Sequence, residues 1–185
     1  MRTLLSTIAM PISPLQRGRL ELIDNEDFGP VTRKTREELE KQAVSLSVEE
    51  ADAGILALKQ YYAVALLDPL NEHAVSDVID PYWHAHILHT RQYTEFCEKV
   101  LGQYMHHDPL DHADTAKVAY VARLYRYTVS VYGQMFNHVD ERFYPSNQPD
   151  SRLICMHFGN TNPVLCADAR FPAVNFSALP INASL

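Results

Sequence analysis

Through the middle of the chain, apolar residues recur at helical rather than strand spacing. Ala51, Ile55, Leu58, Tyr62 and Leu66 follow one another at steps of three to four residues, the period of a core-facing helical stripe. The Ser47-Val48-Glu49-Glu50 run that precedes them has the S-x-x-E form in which the serine and glutamate side chains satisfy each other's backbone amides. A helix is therefore expected to start there and to end at Asp68-Pro69. Upstream, the helix formers of TRKTREELEKQAVSL predict a shorter helix over about 35–44. Residues 1–30, which include the Gly- and Pro-bounded stretch LIDNEDFGP, read as an irregular lead-in.

Asp80-Pro81 is the sharpest boundary, because Asp is a strong helix cap and Pro is favoured at the first helical position. Gly102 supplies the matching stop, and an uninterrupted helix of about twenty residues is expected between them. A further helix is expected from Asp114 or Thr115 through KVAYVARLYRYTVSVYGQMF. It is apolar on more than one side, which predicts a central helix packed by its neighbours. After Tyr144-Pro145 the pattern dissolves, apart from a short β-like RLICMHF. The fold expected is mainly α, one domain over 1–185: a helical bundle with a core over about 48–145 and a loop-rich wrap over 146–185 that includes at most a small hairpin.

Composition agrees with one domain: 185 residues, 46% hydrophobic and 21% charged, are enough to bury a sizeable core. Sixteen Lys and Arg against 23 Asp and Glu give a net charge of -7, and the basic residues are scattered. Nucleic acid is thereby excluded as the expected partner. No run approaches the roughly 18 apolar residues of a membrane span. Pro11 and Pro14 interrupt the N-terminal apolar residues before a signal-peptide core forms, so a soluble cytoplasmic protein is expected. Cys97, Cys155 and Cys166 are odd in number and lack C-x-x-C spacing, so reduced thiols are expected rather than a disulfide framework.

The chemistry concentrates in DPYWHAHILHTRQYTEFCEKVLGQYMHHDP, residues 80–109, which hold five of the nine histidines. At about 100° per residue, Tyr82, His86, His89, Tyr93, Phe96, Cys97 and Val100 share one helix face. His84 falls on the opposite side, so it and His86 cannot chelate one ion, whereas His86 and His89 can. The candidate metal ligands are His86 and His89, then His106 and His107 returning after the Gly102 turn, with His107 preferred, and His138 from the end of the following helix. Asp80, Tyr82, Trp83, His84, Tyr93 and Cys97 are expected to support or line the site, and His84 is expected to bond Asp80 one turn before it. Against this stands the commoner role of a lone inward histidine, a hydrogen-bonded core residue. His73, His112 and His157 default to surface or packing roles.

The same residues carry a family resemblance. VIDPYWHAHILHTRQYTEFCEKVLGQYMHHDP resembles the central motif of the glycine-rich domain-containing protein-like family, a domain of unknown function. The pattern falls on Asp80, Trp83, His84, His86, Tyr93, Cys97, Gly102, His106 and His107, and with the flanking helices it covers about residues 48–145. The resemblance implies no reaction.

The function expected is a His-ligated metalloenzyme that uses iron or copper to oxidise a small molecule or peptide residue. Alternatives are a non-catalytic metal-binding or interaction module, and zinc-dependent hydrolytic or lyase chemistry. Cys97 is a poor nucleophile candidate, because it falls on the buried helix face.

Overall fold

The computed structural model describes residues 2–146 and 153–157. It is mainly α-helical. In chain order the elements are α1 (Leu4–Thr7), α2 (Pro14–Asn25), α3 (Gly29–Lys41), α4 (Val48–Leu67), β1 (His73–Ser76), α5 (Asp80–Leu88), α6 (Thr90–Phe96) with a π-helical turn Cys97–Leu101, β2 (Asp108–Pro109), α7 (Thr115–Met135) and β3 (Leu153–His157).

The cap before α4 forms as expected. The Glu50 amide donates to Ser47 Oγ at 3.1 Å and the Ser47 amide donates to Glu50 Oε2 at 2.8 Å. The N-terminal lead-in is not irregular. Ser13 and Gln16 form a second reciprocal cap, with distances of 3.2 and 2.8 Å, and Pro14 occupies the first turn of α2. Asp24 on α2 then accepts the amides of Leu4 and Leu5 and ties α1 down. The short helix expected over 35–44 begins earlier and spans Gly29–Lys41.

The central helix is α4, not α7. Thirteen residues of α4 are buried, including Lys59 and Gln60, whereas α7 keeps Arg123, Arg126, Gly133 and Gln134 exposed. Helices α1, α2, α3, α5 and α7 all pack on α4. The close approach of α5 depends on Gly54, where an added Cβ would lie 2.1 Å from Tyr82 Cζ.

The long histidine helix is not continuous. His89 has φ −85° and ψ 58°, outside the helical region, and separates α5 from α6. The physical reason is local: His89 Nδ1 donates to the Ala85 carbonyl at 2.7 Å, taking the acceptor that the His89 amide would use in a regular helix. That amide bonds His86 O instead. Tyr93, Phe96, Cys97 and Val100 are nevertheless buried as expected.

The three strands form one small antiparallel sheet in the order β1-β3-β2. The tail therefore contributes a strand between two earlier segments. The rest of the wrap expected over 146–185, Cys166 included, lies outside the described residues.

Candidate functional site

Gly102, at φ 76°, reverses the chain after the π turn, where its amide bonds Cys97 O at 2.8 Å. Only glycine takes this left-handed conformation without a steric cost. The returning segment is fixed by Tyr93, whose hydroxyl donates to Met105 O at 2.6 Å and accepts from Trp83 Nε1 at 3.0 Å. Met105 is buried, and two residues later His107 lies over the start of α5.

There His107 Nε2 is 2.8 Å from Asp80 Oδ1. A carboxylate only accepts, so Nε2 carries a proton, which in a neutral imidazole leaves the lone pair on Nδ1. The ring centroid lies 4.9 Å from buried Trp83 and 5.4 Å from exposed His84, whose ring is nearly parallel to it at 16°. The side chains of His107 and Asp80 remain 14% and 18% exposed, so solvent reaches the pair. Asp80 therefore bonds His107 rather than His84, and His84 covers one side of the His107 ring.

The other candidate ligands have different surroundings. His86 is fully buried, and its Nδ1 is 2.8 Å from the Tyr62 hydroxyl. The rings of Phe28, Tyr62, Tyr93 and Phe96 enclose it at centroid distances of 5.2, 5.7, 5.1 and 5.1 Å. Its Nε2 has no hydrogen-bond partner among the described residues, and an N–H against aromatic rings is a weak but recurrent contact. Burial, with His89 adding to it, pushes the His86 imidazole down to about 3, so the ring is neutral. His89, half-buried, is occupied by Ala85 O. His106 is exposed, 4.8 Å from the Tyr104 ring. His138 contributes its backbone carbonyl, which accepts from Gln60 Nε2 at 2.8 Å.

Among the described residues, no three His, Cys, Asp or Glu side chains are grouped so as to hold a metal ion. Tyr82 packs into Gly54 and lies 6.1 Å from the Phe143 ring, and burial pushes its hydroxyl up to about 12. Burial likewise pushes the Cys97 thiol up, which suits a packed side chain and not a nucleophile.

A second polar cluster had no signal beyond single residues. Asp68 Oδ2 accepts the Tyr127 hydroxyl at 2.6 Å and lies 3.2 Å from His73 Nε2, while Asp68 Oδ1 accepts Asn71 Nδ2 at 2.7 Å. His73 Nδ1 is 3.1 Å from Thr128 Oγ1, itself a donor to Leu124 O. Burial alone would raise the Asp68 carboxyl, but the His73 imidazole beside it and hydrogen bonds from Tyr127 and Asn71 outweigh it and hold it below its ordinary value. With His73 fully buried, this network ties the C-terminal end of α4 to β1 and α7.

A family model described as UCP032817-like matches residues 18–130, well over half of the chain, and the chain belongs to that family. This corrects the resemblance drawn from the Trp-His-x-His motif: the match is not to a glycine-rich domain-containing family. No curated protein and no solved structure matches the chain. No helix among the described residues is long and apolar enough to cross a membrane.

Proposed function

We propose that the chain is an enzyme in which His107, oriented by Asp80, transfers protons to and from a small-molecule or peptide substrate. The observation that carries this reading is the 2.8 Å hydrogen bond between His107 Nε2 and Asp80 Oδ1 in a pair that solvent still reaches. Asp80 selects the tautomer and leaves Nδ1 as the base. Trp83 and His84 hold the ring against rotation. A positioned general base of this kind contributes about 100- to 10,000-fold to a rate.

Turnover of p-nitrophenyl acetate tests the reading without a known substrate. His107 Nδ1 would take a proton from the water that attacks the ester carbonyl. His107→Ala is expected to lower the rate by about 100-fold, and Asp80→Asn to lower it while leaving the fold intact. A wild-type rate equal to that of His107→Ala would remove the proposal.

The same hydrogen bond favours a second reading, a transition-metal site, because a ligating imidazole commonly donates its other ring N–H to a carboxylate. His107 Nδ1 would be one ligand. His84 would need to turn to become another, since parallel stacked rings do not point their lone pairs at a common ion. Iron or copper would supply oxidation there, and zinc an activated water. Metal analysis of protein purified without chelator, beside a His84→Ala/His107→Ala variant, decides this: equal metal content in both excludes it.

A further inference from the structure

We infer that strand β3 is a positioning strap for His107, so that seating of this tail segment controls the Asp80–His107 pair. β2 consists of Asp108 and Pro109, the two residues that follow His107, and their ladder partners are Met156 and Cys155 of β3. The other edge of β3 pairs with β1, from His73↔His157 to Ser76↔Leu153. The strand thus bridges the site segment to the body of the molecule.

Its seat is apolar. Leu153 is buried with Ala74 of β1 and Val121, Ala122, Leu124 and Tyr125 of α7. On the site side, Lys117 Nζ holds Asp108 Oδ2 at 2.9 Å, on a half-exposed surface where such a pair contributes little. Among the described residues, one backbone anchor flanks His107 on each side. One is the Tyr93 bond to Met105 O before it, and the other is the β2–β3 ladder after it. β3 lies beyond residues 18–130, so the second anchor comes from outside the part that the family model matches.

The chemical importance of this strap rests on His107 being the working group, but its existence does not, and the test separates the two. In the full chain, Leu153→Asp places a carboxylate in the apolar seat, and Met156→Pro removes one amide from the central strand of the sheet. Each variant is expected to speed amide exchange at residues 104–108 by about tenfold, a local opening, with α4 protection unchanged. The His107 Nε2–H signal in nitrogen NMR should lose its protection in parallel.

Rapid exchange confined to 153–157, with residues 104–108 and the His107 signal unchanged, overturns the inference. If Leu153→Asp also strips protection from α4, Leu153→Ala provides the same comparison with a smaller perturbation, judged by the same two outcomes. Loss of the strap effect with normal His107-dependent ester turnover refutes the strap alone. An intact strap effect with no His107-dependent turnover refutes only the catalytic reading.

Discussion

The imidazole of His89 donates through Nδ1 to the carbonyl of Ala85 at 2.7 Å, so a side chain replaces the backbone amide one turn after the residue it bonds. Helix α5 stops there and α6 begins with the Tyr93 amide on His89 O at 2.9 Å. The backbone at 89 is held by this bond in a conformation that a continuous helix would not use. His89→Ala removes it, and realigning the two helices would displace buried Tyr93 and Phe96. A loss of about 1 kcal/mol is expected, read from urea denaturation.

Gly54→Ala sets two effects against each other. Alanine gains roughly 1 kcal/mol of helix propensity over glycine. The new Cβ would meet the Tyr82 ring at 2.1 Å, and that ring is buried. Overpacking of this kind costs about 1–3 kcal/mol, so the variant should melt at a lower temperature. In a Tyr82→Ala background, where the obstacle is gone, the same substitution should stabilise.

His86 gives stability a pH dependence of known sign. Its folded value is pushed down to about 3, whereas an unfolded histidine titrates near about 6.5. Between those values the unfolded chain binds a proton that the folded chain does not, so stability falls as pH drops below about 6.5. The slope from this group approaches about 1.4 kcal/mol per pH unit. Comparing denaturant midpoints from pH 7 to 4.5 for wild type and His86→Phe should show a shallower dependence in the variant. Parallel curves would mean that His86 takes up its proton as readily in the fold as in the unfolded chain.

Asp68 acts with the same sign at lower pH. Its hydrogen bonds hold the folded carboxyl below its ordinary value, so its contribution is present above the unfolded value of about 3.9 and is lost as pH falls toward the lower folded one. Asp68→Asn removes the charge beside His73 and weakens the acceptor of the Tyr127 hydroxyl. A loss of about 1–3 kcal/mol at pH 7 is expected, shrinking in acid, and measurable by thermal melts at the two pH values.

The elements most legible in the sequence were those set by short-range chemistry. Ser47 and Glu50 are three residues apart, and their reciprocal bonds need nothing beyond the first turn of α4. Asp114 starts α7 in the same way by accepting the Lys117 amide. Ser13-Pro14-Leu15-Gln16 carried an equally local signal, since Pro at a first helical position starts a helix rather than breaking one. The lead-in was therefore readable from the same rule. The interruption at His89 was harder, because an imidazole competing for a backbone carbonyl leaves the apolar period almost unchanged.

The sequence alone determined that this is a mainly helical chain, that its histidines concentrate in one helix-turn segment, and that Gly102 must turn the chain back. Those follow from periodicity, capping and backbone conformation, which act over a few residues. Only the tertiary structure decided which side chains meet. Asp80 and His107 are 27 positions apart, and their contact depends on Tyr93 holding Met105 and on the strand ladder after His107. His86 was expected to point inward and does, but among the described residues aromatic rings from Phe28 just before α3, from α4 and from α6 surround it instead of further ligands. Helical phase specifies that a residue is buried. What shares its burial depends on how other elements pack against it, and that is a property of the whole fold.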